Sequence, residues 1–282
     1  MGVVGEIERQ LAGLRSRDAA EGAPELRTST MTHLVGCPPD WLSAARKTLA
    51  GLSERHPART IFFIPEPGRT SEIKAGATLR DFQVPGLSRE VLSEVIEIRL
   101  RGAAARHPGS IALPLLIPDL PVFCRWRGEL AWASPELEEI TDVCDRLVVD
   151  SAEWPHVPTA YARLSALFDG VAVSDIAFSR TLGWRRTLAA LWPGIGGIER
   201  LRVEGPRADA ELLAGWLRSR LKRNVKLTRR DADVVQAVWA DGEPVAFSQE
   251  PLSASDLLSS ELDQFGRDRV YEAAVRATFP VR

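Results

Sequence analysis

The residues best suited to binding chemistry in this sequence are the basic side chains between positions 218 and 230. Side chains of this type and density bind phosphate groups or the acidic surface of a partner protein. The alternative is a solvated helix C-terminus, where the helix dipole favours positive charge. No aromatic residues alternate with the basic ones, so the pattern is not that of a protein that stacks single-stranded nucleic acid. The run consists of Arg218, Arg220, Lys222, Arg223, Lys226, Arg229 and Arg230.

A second group combines arginine with tryptophan on a predicted strand, Val122–Arg127. Arginine and tryptophan are enriched at the hot spots of protein interfaces, which predicts a contact with another protein. The alternative is that Trp126 belongs to the core and the neighbouring arginines to an outward face. We take as candidate partner-interface residues Arg125, Trp126, Arg127, Trp154, Arg218, Arg220 and Arg223.

Asp150 and Ser151 end a short predicted strand that begins at Leu147. In α/β proteins, ligands usually bind at the carboxyl ends of strands. We therefore hold this pair as a second-best ligand site, although the sequence points to no particular ligand and to no partner residues for it.

Catalytic, cofactor and metal motifs are missing from the sequence. It contains neither a G-x-S-x-G nucleophile elbow nor a phosphate-binding loop. The glycines from Gly194 to Gly197 follow a predicted helix and precede a strand, the wrong order for a dinucleotide site. The four histidines are scattered, and the three cysteines, Cys37, Cys124 and Cys144, have no metal-ligand spacing. We predict no catalytic residue, no cofactor and no metal.

A β-α-β unit between Ser110 and Ser151 organises the predicted elements. The apolar run Ile111–Ile117 enters it and is broken by prolines, so it cannot be one helix. An amphipathic helix, Val4–Arg15, and a linker, Arg17–Glu25, precede the rest of the chain. Other predicted elements of the first half are the strands Arg27–Val35, with two partly polar faces, Ile61–Ile64, buried on both faces, Glu72–Phe82 and Leu92–Arg101, and a helix, Asp40–Arg55, capped by Asp40.

The second half mixes helices with short strands on either side of an Asp241-Gly242 turn, a strong hairpin signal. We predict an α/β fold of two α/β domains with mixed sheets flanked by helices, after an N-terminal helix. The expected bounds are 1–25, 26–157 and 158–282. The predicted helices are Thr159–Phe168, Ser174–Trp192, Ala208–Leu221, Ser253–Phe265 and Gly266–Thr278, and the predicted strands are Ile198–Val203, Val225–Thr228, Val234–Trp239 and Pro244–Phe247.

Composition sets limits on the partners. The 282 residues carry a net charge of −2, from 36 basic and 38 acidic residues, so no overall field would hold the chain to nucleic acid or to an anionic membrane. The first residues include Glu6 and Glu8 where a signal peptide needs basic residues. We expect a cytoplasmic protein that binds neither nucleic acid nor a membrane.

Several segments, in order along nearly the whole chain, resemble the glucose-6-phosphate dehydrogenase assembly protein family, OpcA. The resemblance implies a protein without a reaction of its own. It implies a partner, the NADP-dependent glucose-6-phosphate dehydrogenase of the oxidative pentose phosphate pathway, whose active oligomer or activity it would promote. Sugar phosphate or NADP(H) would then be reached only through that partner. The segments are RTSTMTHLV (27–35), RHPARTI (55–61), SEVIEIRLRG (93–102), LPLLIPDLPVFCRWRG (113–128), DRLVVDSAEW (145–154), VSDIAFSRTLGWRRTLAALW (173–192) and LLAGWLRSRL (212–221).

The rival interpretation is an enzyme or sensor that binds a sugar phosphate on its α/β sheet, with the basic run holding the phosphate. A chain that both binds a metabolite and activates the dehydrogenase is a third possibility, and the residues alone do not separate it from the first. The family is associated in part with thioredoxin-linked control. Because this chain has no close cysteine pair, we do not expect that control here.

Overall fold

The structure is a computed structural model that describes residues 2–20, 29–52, 55–83, 90–248, 250 and 252–279. The chain forms two compact units, Met1–Val148 with Ala254–Phe265, and Val149–Ser253 with Gly266–Arg282. Helices, a seven-stranded sheet and a four-stranded sheet confirm the predicted α/β fold with an N-terminal helix. The domain bounds drawn from the sequence stay predictions, and residues 21–25 of the predicted linker lie outside the described residues.

Six strands that begin in the first unit belong to the larger sheet, in the order β3-β4-β2-β1-β5-β6. All neighbours pair in parallel except β3 and β4, which are antiparallel. The strands are β1 (Met31–Gly36), β2 (Ala58–Glu66), β3 (Glu72–Gln83), β4 (Glu90–Arg101), β5 (Val122–Trp126) and β6 (Arg146–Val149). The helices of this unit are α1 (Val3–Ala20), α2 (Leu42–Ala50), α3 (Pro108–Ala112), α4 (Pro135–Val143) and α9 (Ala254–Leu262).

The centre of this sheet is buried on both faces, as parallel strands in α/β proteins usually are. The apolar run Ile61–Ile64 lies in β2 and is fully buried, which confirms the predicted central strand. The predicted strand Arg27–Val35 corresponds to β1, Met31–Gly36, and every residue of β1 is buried. β1 lies between β2 and β5. Its polar side chains, Thr32 and His33, are buried, at 0% and 3% exposure.

The predicted β-α-β unit is confirmed as β5, α4 and β6. The proline-broken run before it forms α3 and a short 3₁₀ turn, Leu113–Leu115. Ser134 caps α4 by accepting a hydrogen bond from the Leu137 amide. The predicted helix Asp40–Arg55 is shorter, and Asp40 lies in a 3₁₀ turn ahead of α2 instead of capping it.

The second unit contains the smaller sheet, in the order β11-β10-β8-β9. β8 pairs in parallel with β9 and antiparallel with β10, and the hairpin from β10 to β11 turns at Asp241 and Gly242, as predicted. The strands of this unit are β7 (Ala172–Asp175), which is the seventh strand of the larger sheet, β8 (Arg200–Glu204), β9 (Lys226–Arg230), β10 (Ala237–Ala240) and β11 (Glu243–Pro244). Its helices are α5 (Val157–Leu164), α6 (Ile176–Arg180), α7 (Leu182–Ala190), α8 (Arg207–Leu221) and α10 (Arg269–Arg276).

The predicted helix Ser174–Trp192 is three elements in the structure. Its first two residues end β7, and the rest divides into α6 and α7 at Thr181. The expected capping by a Ser-Asp pair is confirmed for Asp175, which accepts a hydrogen bond from the Ala177 amide at 2.9 Å. Among the described residues, no helix has the length and apolar content that crossing a membrane requires.

Candidate functional site

The end of β5 carries the first group of predicted interface residues, and the structure places most of it in the interior. Arg125 and Trp126 are 3% and 6% exposed. Trp126 packs across Gly36 of β1, where an added Cβ would lie only 2.7 Å from the indole ring. The Arg125 guanidinium donates to the carbonyl of Trp126. Trp126 therefore packs β5 against β1, where glycine at position 36 leaves room for the ring, and Arg125 is held within β5.

Arg127 and Trp154 complete that predicted set. Arg127 is half-buried, and its guanidinium lies 4.6 Å from the centre of the Trp41 ring, in cation–π geometry. Trp154, in the second unit, is 4% exposed and packs against Tyr161. A partner protein can therefore contact Arg127, but it cannot reach the buried indoles of Trp126 and Trp154. Of the candidate interface residues, the exposed ones are Arg220 and Arg223. They are therefore better placed than the buried residues to contact a partner.

Asp150 belongs to a charged network inside the second unit. The guanidinium of Arg180 donates to both oxygens of Asp150, at 2.9 and 2.8 Å, and to both oxygens of Asp209, at 3.0 and 3.2 Å. Burial disfavours the Arg180 charge, but the hydrogen bonds and charges of the two aspartates outweigh it and raise the pKa of the guanidinium. Each charge in this network thus has a bidentate partner.

Ser151 lies beside that network and is fully buried. Its hydroxyl is 2.8 Å from the Tyr161 hydroxyl, and its amide donates to Asp175 at 3.0 Å. Tyr271 donates to the other oxygen of Asp175 at 3.3 Å. Burial, assisted by the charge of Asp150, raises the pKa of Asp175 to about 7. The ligand site suggested for Asp150 and Ser151 stays a prediction, since both residues are engaged within the unit.

The basic run of the sequence is divided between α8 and β9, with a left-handed Lys222 ending the helix. Arg218 is half-buried, and among the described residues it donates to backbone carbonyls, those of Val225 at 2.9 Å and of Ala277 and Thr278 at 3.3 Å. Burial lowers the pKa of Arg218, yet an arginine stays charged at neutral pH. In the described part of the chain, no carboxylate lies within ion-pair distance of this guanidinium.

Arg218 lines an open pocket of about 720 Å³ in the second unit. Burial raises the pKa of Glu211, and the positive charges of Arg218, Arg207 and Arg229 oppose that shift. The wall combines one carboxylate with several cations, so it can bind an anion and accept a hydrogen bond at the same time. The pocket is lined by Arg207, Glu211, Arg218, Asn224, Lys226, Leu227, Arg229 and Thr278.

A different part of the basic run adjoins an exposed tryptophan. The Arg223 guanidinium donates to the carbonyl of Gly196 at 3.1 Å. The ring of Trp192 lies against the same glycine, where an added Cβ would be 3.1 Å from the indole. Trp192 is 66% exposed and the adjacent Leu191 45% exposed. We name the group formed by Leu191, Trp192, Gly196 and Arg223 the Trp192 patch.

Sequence reasoning missed the Trp192 patch and the role of Arg180. The sequence pattern marks Trp192 only as the end of a predicted helix, although a tryptophan followed by proline and a glycine turn is a signal for an indole held outside the core. Arg180 carried no signal, because its partners lie about 30 residues away in either direction. Pocket residue Arg207 was likewise outside the predicted basic run.

The three cysteines are in surroundings that disfavour thiol reactivity. All three are buried. Burial raises the pKa of Cys124 to about 12 and the pKa of Cys144 well above its usual value, so the reactive thiolate form is disfavoured. Within the described residues, no group of three or more histidine, cysteine or carboxylate side chains is placed to hold a metal ion.

Comparison with known proteins gives two matches, one in each half of the chain. Residues 50–166 match the family model described as the N-terminal domain of the glucose-6-phosphate dehydrogenase subunit. Residues 171–275 match the model described as the C-terminal domain of the same glucose-6-phosphate dehydrogenase subunit. The two matched ranges are consecutive and together span most of the sequence. No curated protein and no solved structure matches the chain.

Proposed function

The chain belongs to the OpcA family of glucose-6-phosphate dehydrogenase assembly proteins, and on that premise we propose that it is a non-catalytic assembly factor and allosteric activator of the dehydrogenase. It binds the enzyme and promotes its active oligomer in the oxidative pentose phosphate pathway. The single observation that carries the proposal is the pair of family matches, in the order N-terminal domain, then C-terminal domain. The proposal places the protein in the cytoplasm, with the dehydrogenase.

Activation requires differential binding. A protein that binds the active and inactive states of the enzyme equally well shifts nothing, whatever its affinity. The activator must therefore contact a surface that differs between the two states, such as an interface between protomers of the dehydrogenase. A rigid patch suits this role, because little conformational entropy is lost when it docks.

The Trp192 patch supports the proposal as the contact surface. An exposed indole beside an exposed arginine has the composition of an interface hot spot. The indole is positioned by its packing on Gly196, and Arg223 is positioned by its hydrogen bond to the same residue. Arg220, also exposed, lies on the last turn of α8, close to Arg223 in sequence.

Binding is tested by mixing the purified dehydrogenase with the purified chain and measuring the mass of the product by size exclusion with light scattering. We expect a complex of both proteins and an increase in the larger, active oligomer. A Trp192→Ala/Arg223→Ala variant is expected to weaken the complex by about 100-fold, from the loss of about 3 kcal/mol at a hot spot.

The matched control is Leu113→Ala/Arg163→Ala. It removes one exposed apolar and one exposed basic side chain from other surfaces, and we expect it to bind like the wild type. Separate elution of the wild-type chain and the enzyme at every concentration would refute the function. Normal binding by Trp192→Ala/Arg223→Ala would refute only the proposed surface.

A further inference from the structure

We propose that the pocket lined by α8 and β9 in the second unit binds a small molecule that carries both a phosphate group and hydroxyl groups. The inference goes beyond the contact with the dehydrogenase, because it concerns the chain alone. Its pocket of about 720 Å³ has the size usual for small-molecule sites.

The pocket carries positive charges that are not balanced by ion pairs. Arg207 and Lys226 are exposed and line the pocket, and among the described residues neither makes an ion pair. Arg218 donates Nε and Nη1 to backbone carbonyls, which carry no net charge. Its Nη2 group has no hydrogen-bond partner in the described part of the chain. Three cations thus surround an open space, with a fixed guanidinium at its wall, and this arrangement favours a multiply charged anion.

A second basic pocket in the same unit, of about 570 Å³, is lined by Arg267, Arg269, Glu272 and Arg276, and two of its three arginines are ion-paired. There Glu272 accepts two hydrogen bonds from Arg267, at 2.7 and 2.8 Å, and lies 3.7 Å from Arg276. A carboxylate that already pairs with two arginines reduces their attraction for an external anion, and in this pocket only Arg269 has no ion pair among the described residues. The difference between the pockets is therefore in ion pairing rather than in the number of arginines.

The uncharged and acidic lining residues indicate which groups the ligand carries besides phosphate. Glu211 faces the same pocket, and its carboxylate accepts hydrogen bonds but repels a bare anion. Asn224 adds an amide to the wall. A ligand with hydroxyl groups beside its phosphate satisfies both kinds of lining, since the phosphate meets the cations and a hydroxyl donates to Glu211. Inorganic phosphate uses only the cations.

Isothermal titration calorimetry on the intact chain tests the inference with three probes: a hexose monophosphate, the same hexose without phosphate, and inorganic phosphate. We expect the hexose monophosphate to bind most tightly, inorganic phosphate to bind more weakly and the free hexose not to bind. The Arg207→Ala/Lys226→Ala variant keeps Arg218 and its carbonyl contacts, and it is expected to lose at least about tenfold in affinity.

The control is Arg230→Ala, which removes a basic side chain of the same strand that lies outside the pocket and 3.8 Å from Glu204. It is expected to bind the hexose monophosphate like the wild type. No binding of any probe would overturn the inference, as would equal affinity in the wild type and in Arg207→Ala/Lys226→Ala. Equal affinity for inorganic phosphate and the hexose monophosphate would overturn the hydroxyl contact. None of these results bears on the dehydrogenase complex, which is measured without the probes.

Discussion

Two arginines of the second unit, Arg180 and Arg218, show opposite ways of holding a guanidinium. Arg180 lies between Asp150 and Asp209, and all four carboxylate oxygens accept its hydrogen bonds. Arg218 is held by backbone carbonyls in the part of the chain that the structure describes. Both arrangements fix the side chain, but only the first neutralises it. The first is therefore expected to contribute to stability, and the second leaves positive charge at the wall of a pocket.

The contrast explains why a count of arginines is a poor guide to function. Inside the unit, the charge of Arg180 is matched and its neighbourhood includes buried polar groups such as Ser151 and Asp175. At the pocket, the charges of Arg207, Arg218 and Lys226 exceed the single negative charge of Glu211. Cations that have no ion pair within the protein attract an external anion, so such a group indicates a binding site better than a paired one does.

The largest expected effect is on stability, from replacing the compensated arginine. Arg180→Met removes the guanidinium from between two largely buried aspartates and is expected to cost about 3–5 kcal/mol. Arg218→Met loses hydrogen bonds to neutral carbonyls and is expected to cost about 1–2 kcal/mol. Urea unfolding at neutral pH measures both values, with the exposed Arg163→Met as the control. Equal costs for the two arginines would contradict the comparison.

A second prediction concerns pH. The pKa of Asp175 rises from 3.8 to about 7 on folding, because the site is buried and Asp150 is close. Between these values the folded chain holds a proton that the unfolded chain has released, so the contribution of this group to stability falls as pH rises. Asp175→Asn cannot ionise, and its oxygen can still accept from the Ser151 and Ala177 amides. We expect its unfolding free energy, relative to wild type, to increase as pH rises from about 4 to about 7.

The control for this pH series is Asp169→Asn, which changes a carboxyl group of the same unit whose side chain is 87% exposed. Its difference from the wild type is expected to stay nearly constant over the same pH range. The interpretation of Asp175 would be wrong if the difference for Asp175→Asn were also constant.

A smaller effect separates the two tyrosines of the chain. Tyr161→Phe removes a hydroxyl that contacts Ser151 at 2.8 Å and the Ala208 carbonyl at 3.4 Å, at an expected cost of about 1–2 kcal/mol. Tyr271→Phe removes the hydroxyl that donates to Asp175 at 3.3 Å, a longer hydrogen bond, and we expect it to cost about half as much. Thermal unfolding measures the order, and a larger loss for Tyr271→Phe would show that its contact with Asp175 is the stronger.

The sequence predicted those parts of the fold that depend on local pattern. The apolar run Ile61–Ile64 indicated a strand buried on both faces, and the Asp241-Gly242 dipeptide indicated the hairpin. The errors occurred where tertiary neighbours decide. The predicted helix Asp40–Arg55, for example, is shorter in the structure, with Asp40 in a 3₁₀ turn ahead of α2. The residues that end β7 resemble the start of a helix, because its four residues are too few to show a period.

The candidate sites were less predictable, because a pairing of charges is a spatial property. The arginines flanking Trp126 looked available, but Arg125 is enclosed by the sheet and Trp154 by the second unit's core. Asp150 stands out in the sequence for its position after a strand, yet its partners, Arg180 and Asp209, are distant in sequence. Composition alone identifies the basic run, and only the three-dimensional arrangement separates Arg218, in the pocket, from Arg223, in the Trp192 patch.

The central claim is activation of the dehydrogenase, and its most direct test is the rate of glucose 6-phosphate oxidation at a fixed, low enzyme concentration while the chain is added. We expect a saturable increase with the wild type. Trp192→Ala/Arg223→Ala is expected to need about 100-fold more protein for the same increase, whereas the control Leu113→Ala/Arg163→Ala should match the wild type. A rate that stays unchanged at every concentration of the wild-type chain would contradict the account.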